Sequence, residues 1–185
     1  MAINDERSKY ELDSAYVCRC HKRLKDWGAP LDHWECVDVY DVADEDNEVT
    51  EFFTCELCDC PQVRFVHVMH HDDFFENISV GCICAGIMEG DILAAKARDN
   101  EMKNRAKRKQ NFPQRKWKRT QRGGLYTNYR GTQVFINHSY YNQSHLGVYV
   151  NGQAYWSYKG KPITSFLSAA YAAFELVDPV SRIMG

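Results

Sequence analysis

Two short cysteine motifs restrict the folds open to this chain more than anything else in it: Cys55-Glu56-Leu57-Cys58, and Gly81-Cys82-Ile83-Cys84 some two dozen residues on. A pair of cysteines with two residues between them forms a knuckle that presents both sulfurs to one ion, and backbone amides in the turn help to stabilise the thiolates. Between the motifs, Val63 to Met69 is rich in β-branched residues and reads as a strand. Asp72-Asp73 and Glu76-Asn77 suggest a turn, and Ile78-Ser79-Val80 a short returning strand. Helical character begins near Cys84 and runs through Met88. The second cysteine pair therefore opens a helix, whose positive dipole end favours deprotonated sulfur. Soft thiolates in a tetrahedral shell suit Zn2+ best.

Cys55, Cys58 and Cys84 lead the expected ligand set. Strand alternation places Val63, Phe65, His67 and Met69 on one face, and three of these are apolar. His67 then lies on a buried face, where an imidazole needs a partner. It is either the fourth ligand or a core histidine bonded to a carbonyl. Cys82 is the alternate ligand, Cys60 a bystander past the knuckle, and His70 and His71 fall toward the turn. Cys18, Cys20, His21 and Cys36 are candidates for a second ion, although no downstream pair matches their spacing.

Knuckle, hairpin and helix together make a treble-clef arrangement. Cys55-x-x-Cys58, Arg64-Phe65-Val66-His67 and Val80-Gly81-x-x-Cys84 resemble the pattern of treble-clef zinc-finger proteins from phages and bacterial mobile elements. Those carry CxxCG, an Arg-containing strand with a His, and VGSxC opening a helix. The run from Cys55 to Asp91, with the Lys/Arg-rich segment after it, is similar to a family of uncharacterised bacterial proteins with a VGCxCAGxMxGD motif. The resemblance covers residues 55–122. It implies Cys55, Cys58, His67 and Cys84 as ligands, with Cys82 standing where Ser is usual and Asp59 where Gly is usual. It carries no assigned activity.

Charge is distributed unevenly. The formal net charge is −2, yet Asp26 to Val63 holds twelve acids and no Lys or Arg, while Lys96 to Arg122 holds twelve Lys or Arg and only two acids. The basic run can neutralise phosphates along a nucleic acid, and an interleaved aromatic can stack on a base. Lys107, Arg108, Lys109, Arg115, Lys116, Trp117, Lys118 and Arg119 are the expected contacts, with DNA and RNA both open. The alternative is a protein-interaction module, an inhibitor or adaptor from a phage or mobile element, acting through its acidic surface at 35–51.

The expected organisation is an acidic N-terminal lead (1–50), a zinc-binding unit (51–92), a basic helix or linker (93–122) and a β-β-β-β-α module (123–185), α+β overall. In the basic segment Leu93, Ala97 and Met102 make a thin apolar stripe, which suits a solvated or partner-bound helix. Asn151-Gly152 favours a primed hairpin turn, and Ser165 can cap a helix over Phe166 to Val177. No catalytic motif is evident. An HNH-like nuclease would need a metal-binding His or Asn on the helix after the strand, and Ala85 to Asp91 offers no His. No small-molecule substrate is indicated. The opening residues lack an apolar h-region, and no run approaches the roughly 18 apolar residues of a membrane span. The cytoplasm is the expected location, where clustered cysteines more often bind metal than pair.

Overall fold

The computed structural model describes residues 12–43 and 48–184. Residues 44–47 of the acidic loop, and the first eleven residues of the expected lead, lie outside the described residues. The chain is a mixed α and β protein with antiparallel sheets, and it divides into two compact units.

The first unit begins with α1 (Ser14–Asp26), whose start is fixed by the Asp13 carboxylate accepting the Ala15 amide at 2.9 Å. Three strands follow as an antiparallel sheet in the order β1 (Glu35–Asp41), β2 (Phe65–His70), β3 (Ile78–Val80), with an irregularity in β1 between Cys36 and Asp38. The helix α2 (Cys82–Glu89) packs on β2 and ends at Gly90, which takes the left-handed conformation (φ 75°) that a side chain resists. Leu24, Trp34, Leu57, Val66, Met69, Val80 and Met88 lie in the core.

Asp91 caps α3 (Ile92–Asn111) by accepting the Ala94 amide. The expected apolar stripe of this helix is corrected by its packing. Leu93 is 60% exposed and Ala97 is exposed, whereas Ala95, Met102 and Ala106 are buried along with Arg105 and Lys109. Small residues and long basic stems, which periodicity of large apolar residues overlooks, make its inner face. The boundary between the units falls at Met102/Lys103, within α3.

In the second unit a 3-10 turn (Phe112–Gln114) leads to a five-stranded antiparallel meander: β4 (Lys118–Arg119), β5 (Leu125–Tyr129), β6 (Thr132–His138), β7 (Leu146–Val150) and β8 (Gln153–Tyr155). A small ladder of β9 (Ser157–Tyr158) and β10 (Lys161–Pro162) comes next. The helix α4 (Phe166–Val177), capped by the Ser165 hydroxyl, and the short α5 (Ser181–Met184) complete the chain. Arg130-Gly131 and Asn151-Gly152 both have positive φ at both positions, the conformation of two-residue primed turns. Alternation sends Tyr129, Val134, Ile136, Val148 and Val150 inward, into one core with α4 and Phe112.

Candidate functional site

The two motifs converge. The Sγ atoms of Cys55, Cys58 and Cys84 lie within 4.8 Å of one another, a group that could hold a metal ion. Cys55 and Cys58 sit on a tight turn closed by the Asp59 amide donating to the Cys55 carbonyl at 2.9 Å, and by the Cys55 amide donating to the Cys60 carbonyl at 2.8 Å. Asp59 occupies the left-handed region (φ 59°), which explains why glycine would suit that place. Its carboxylate is held by the Arg23 guanidinium of α1. Glu56 joins the knuckle to β3: its backbone amide donates to the Ser79 carbonyl at 3.1 Å, and its carboxylate accepts the Ser79 amide. Cys84 comes from the first turn of α2. The Gly81 amide, just ahead of that helix, reaches Cys55 Sγ at 3.5 Å.

These contacts spread the thiol acidities apart. A hydrogen bond from Cys84 lowers Cys55 well below the usual thiol value against the opposing effect of burial, and the amides of Gly81, Cys58 and Leu57 lower it further. Cys84 is pushed up by the hydrogen bonds it makes to Cys20 and Cys55 and by burial. Burial raises Cys58. The Tyr16 hydroxyl, from α1, stands 3.0 Å from Cys84 Sγ and also bonds Cys58. Burial and these bonds hold the phenol protonated, so it can donate to a thiolate.

Among the expected ligands His67 stands apart. It is fully buried, as expected, but it is not a member of the thiol group. The backbone of Phe65 and of Ala95 lies beside it, with Arg98 and Asp99 nearby, and neither ring nitrogen makes a well-formed hydrogen bond. Burial, aided by the Arg98 charge, lowers its pKa, so the ring is neutral. Cys82, the alternate, opens α2 half-buried near Arg98 and is also outside the group. Of the set considered for a second ion, Cys18 is exposed, Cys36 bonds the Asp38 carbonyl at 3.4 Å, and Cys20 is buried toward Cys84 but lies outside the three-thiol group. Cys20 carried no separate sequence signal beyond Tyr16, Cys20 and Leu24 recurring every fourth residue along one helical face.

The basic segment divides by use. Arg108 donates to the buried Asp178 carboxylate at 2.8 Å, and Lys109 pairs with Glu175 at 3.0 Å. Arg105 donates to the Asp178 carbonyl at 2.7 Å and pairs with Glu175, and Tyr129 donates to Asp178 at 2.7 Å. Arg108 and Lys109 thus hold α4 rather than standing ready for phosphate. Trp117 is corrected likewise: its ring meets Phe112 at 5.8 Å and Phe166 at 5.3 Å edge-on, and its indole N–H donates to the Pro113 carbonyl. It is partly buried against the core, three residues beyond the turn that carries Phe112. Lys107, Arg115, Lys116, Lys118 and Arg119 are exposed, with Arg115 laid over the Tyr129 ring.

An aromatic row lies on the sheet face opposite α4. Lys118, Tyr126, Phe135 and Tyr149 are successive cross-strand neighbours on β4, β5, β6 and β7. Tyr126 and Phe135 stack at 5.8 Å, and Trp156 stands edge-on to Tyr149 at 5.8 Å. Trp156 lies over Gly147, where a Cβ would come within 2.6 Å of its ring.

No protein-family model matches this chain, and no curated protein or solved structure matches it significantly.

Proposed function

We propose that this is a non-enzymatic nucleic-acid-binding protein of the cytoplasm, stapled by one Zn2+ in a treble-clef unit made of the knuckle, the β2–β3 hairpin and α2. Zinc is the natural ion for a compact set of thiolates, and a closed structural site contributes directly to folding. The cytoplasm is the compartment that would keep so many thiols reduced.

The observation that carries the binding reading is the charge of the sheet module. No Asp or Glu occurs between Glu101 and Glu175, whereas thirteen Lys or Arg do. Glu175 and Asp178 are engaged by Arg105, Arg108 and Lys109. Lys116, Lys118, Arg119 and Arg122 remain exposed at the β4 end of the aromatic row. Cations beside half-exposed rings suit a strand with unpaired bases: phosphates meet the cations and bases lie on the rings, each stack being worth about 1–3 kcal/mol.

Fluorescence anisotropy with single-stranded and duplex oligonucleotides at rising salt tests this. Single strands bind more tightly, and Lys116→Glu, Lys118→Glu and Arg119→Glu together weaken binding and flatten the log–log salt slope by about 2. Phe135→Ala weakens single-strand binding about tenfold or more. Binding that ignores charge reversal rejects the proposal.

The acidic alternative has one feature in its favour. β1 is an outer strand of its sheet and exposes Glu35, Val37, Asp38 and Tyr40, a surface that a protein with a basic strand could extend. Capture of a protein partner that is lost on neutralising Glu35 and Asp38, with no oligonucleotide binding, would select it.

A further inference from the structure

We propose that Cys20 is the fourth ligand of the metal centre, so that the ion fastens α1 to the knuckle and to α2. This rests on the metal reading above and adds to it a ligand that neither the cysteine motifs nor the resemblance supplies. Three thiols leave one corner of a tetrahedral shell unfilled, and structural zinc sites fill all four corners with protein. His67 faces Ala95 and Arg98 instead. Cys82 is two residues from Cys84 on a helix, a spacing that turns the two side chains apart. Cys60 is exposed beyond the turn.

Cys20 is the remaining candidate: its Sγ lies outside the set of three that are mutually within 4.8 Å, so the ion would have to draw it in. Cys20 is only 2% exposed, it shares a core cluster with Cys55 and Cys84, and it interacts with the Cys84 thiol. It does not stand alone. Tyr16, Cys20 and Arg23 lie four and three residues apart on one helical face, and all three turn to the same cluster: Tyr16 to Cys84 and Cys58, Cys20 to Cys84, Arg23 to Asp59 beside the knuckle. Four thiolates around Zn2+ leave a net charge of −2. The two cations of α1 near the cluster oppose it, Arg19 acting on Cys20 and Arg23 on Cys55 and Cys58. The Tyr16 hydroxyl is then an outer-shell donor to a ligating sulfur, the kind of contact that fixes a ligand's orientation.

The test uses the reduced full-length chain loaded with Co2+, followed by competition with Zn2+. The wild type is expected to take one ion with tetrahedral d–d bands and a thiolate-to-cobalt charge-transfer band. Cys20→Ser removes one thiolate of four, so that band falls by about a quarter, and zinc affinity drops by more than the roughly 10–100-fold that loss of an outer-shell partner costs. Tyr16→Phe keeps the band and loses about tenfold in affinity. His67→Gln and Cys82→Ser leave both readings unchanged. Cys20→His, which offers another zinc ligand, keeps the tetrahedral d–d bands at lower charge-transfer intensity and guards against a Ser variant that fails to fold. If Cys20→Ser keeps the wild-type band and affinity, the proposal is overturned while the metal reading stands. A wild type with no charge-transfer band overturns both.

Discussion

Asp178 is the position where a single change tests the packing of the second unit most directly. Its carboxylate is 2% exposed and receives Arg108 at 2.8 Å and the Tyr129 hydroxyl at 2.7 Å, with Arg130 at 3.7 Å. Burial alone would raise this carboxyl, but hydrogen bonds from Arg108 and Tyr129 and the charges of Arg108 and Arg130 outweigh it, so the group stays ionised below the ordinary range. Asp178→Ala strands a guanidinium and a buried phenol together. Breaking one side of a buried pair costs about 3–5 kcal/mol, and because Arg108 is a quarter exposed the lower figure, about 3 kcal/mol, is expected. For a unit of this size that corresponds to roughly 12–24 °C in Tm. Hydrogen exchange read on peptides spanning β5 to β7 isolates this unit, and amides that exchange by global opening should speed up by about 100-fold or more. Replacing both partners, Asp178→Leu with Arg108→Met, should cost less than the two single changes added. An acceleration below about tenfold in the single variant would falsify the structural role given to Arg108.

Two further outcomes follow from the geometry. Because burial, then the Arg98 charge, depresses the His67 pKa, the unfolded chain binds a proton there more readily than the folded one. Its contribution to stability is complete above about pH 6.5 and shrinks as the pH falls below that value. Urea midpoints should decline on acidification in the wild type and decline less in His67→Leu, and parallel declines reject the buried neutral imidazole. Gly147→Val drives a branched side chain into space held by the Trp156 ring, since even a Cβ would lie 2.6 Å away. Trp156 should swing off the sheet with a red-shifted emission, and single-strand affinity should fall about tenfold. Unchanged emission would mean that the indole does not rest on Gly147.

Much of the strand and helix pattern was legible because it is local. The Asn151-Gly152 turn, the Ser165 cap and the alternation along β5 to β7 each depend on residues within a few positions of one another. The knuckle and the helix-opening Cys84 were readable for the same reason, and the structure brings them together. The surroundings of His67 and Trp117 were not legible because burial and composition reveal that a side chain needs a partner, not which one. His67 is buried as its strand face requires, yet it turns to α3; Trp117 sits in a basic run, yet it packs against Phe112.

The sequence by itself determined that thiols would gather, and that residues between Glu101 and Glu175 would present positive charge without acids to offset it. Tertiary structure alone decided which sulfurs meet, which cations are consumed by Asp178 and Glu175, and that α1 lies against the thiol cluster. The physical reason is range. Periodicity and capping act over a turn or two of backbone, whereas Tyr16 and Cys84, or Arg108 and Asp178, are some seventy residues apart and become neighbours only when the whole core closes.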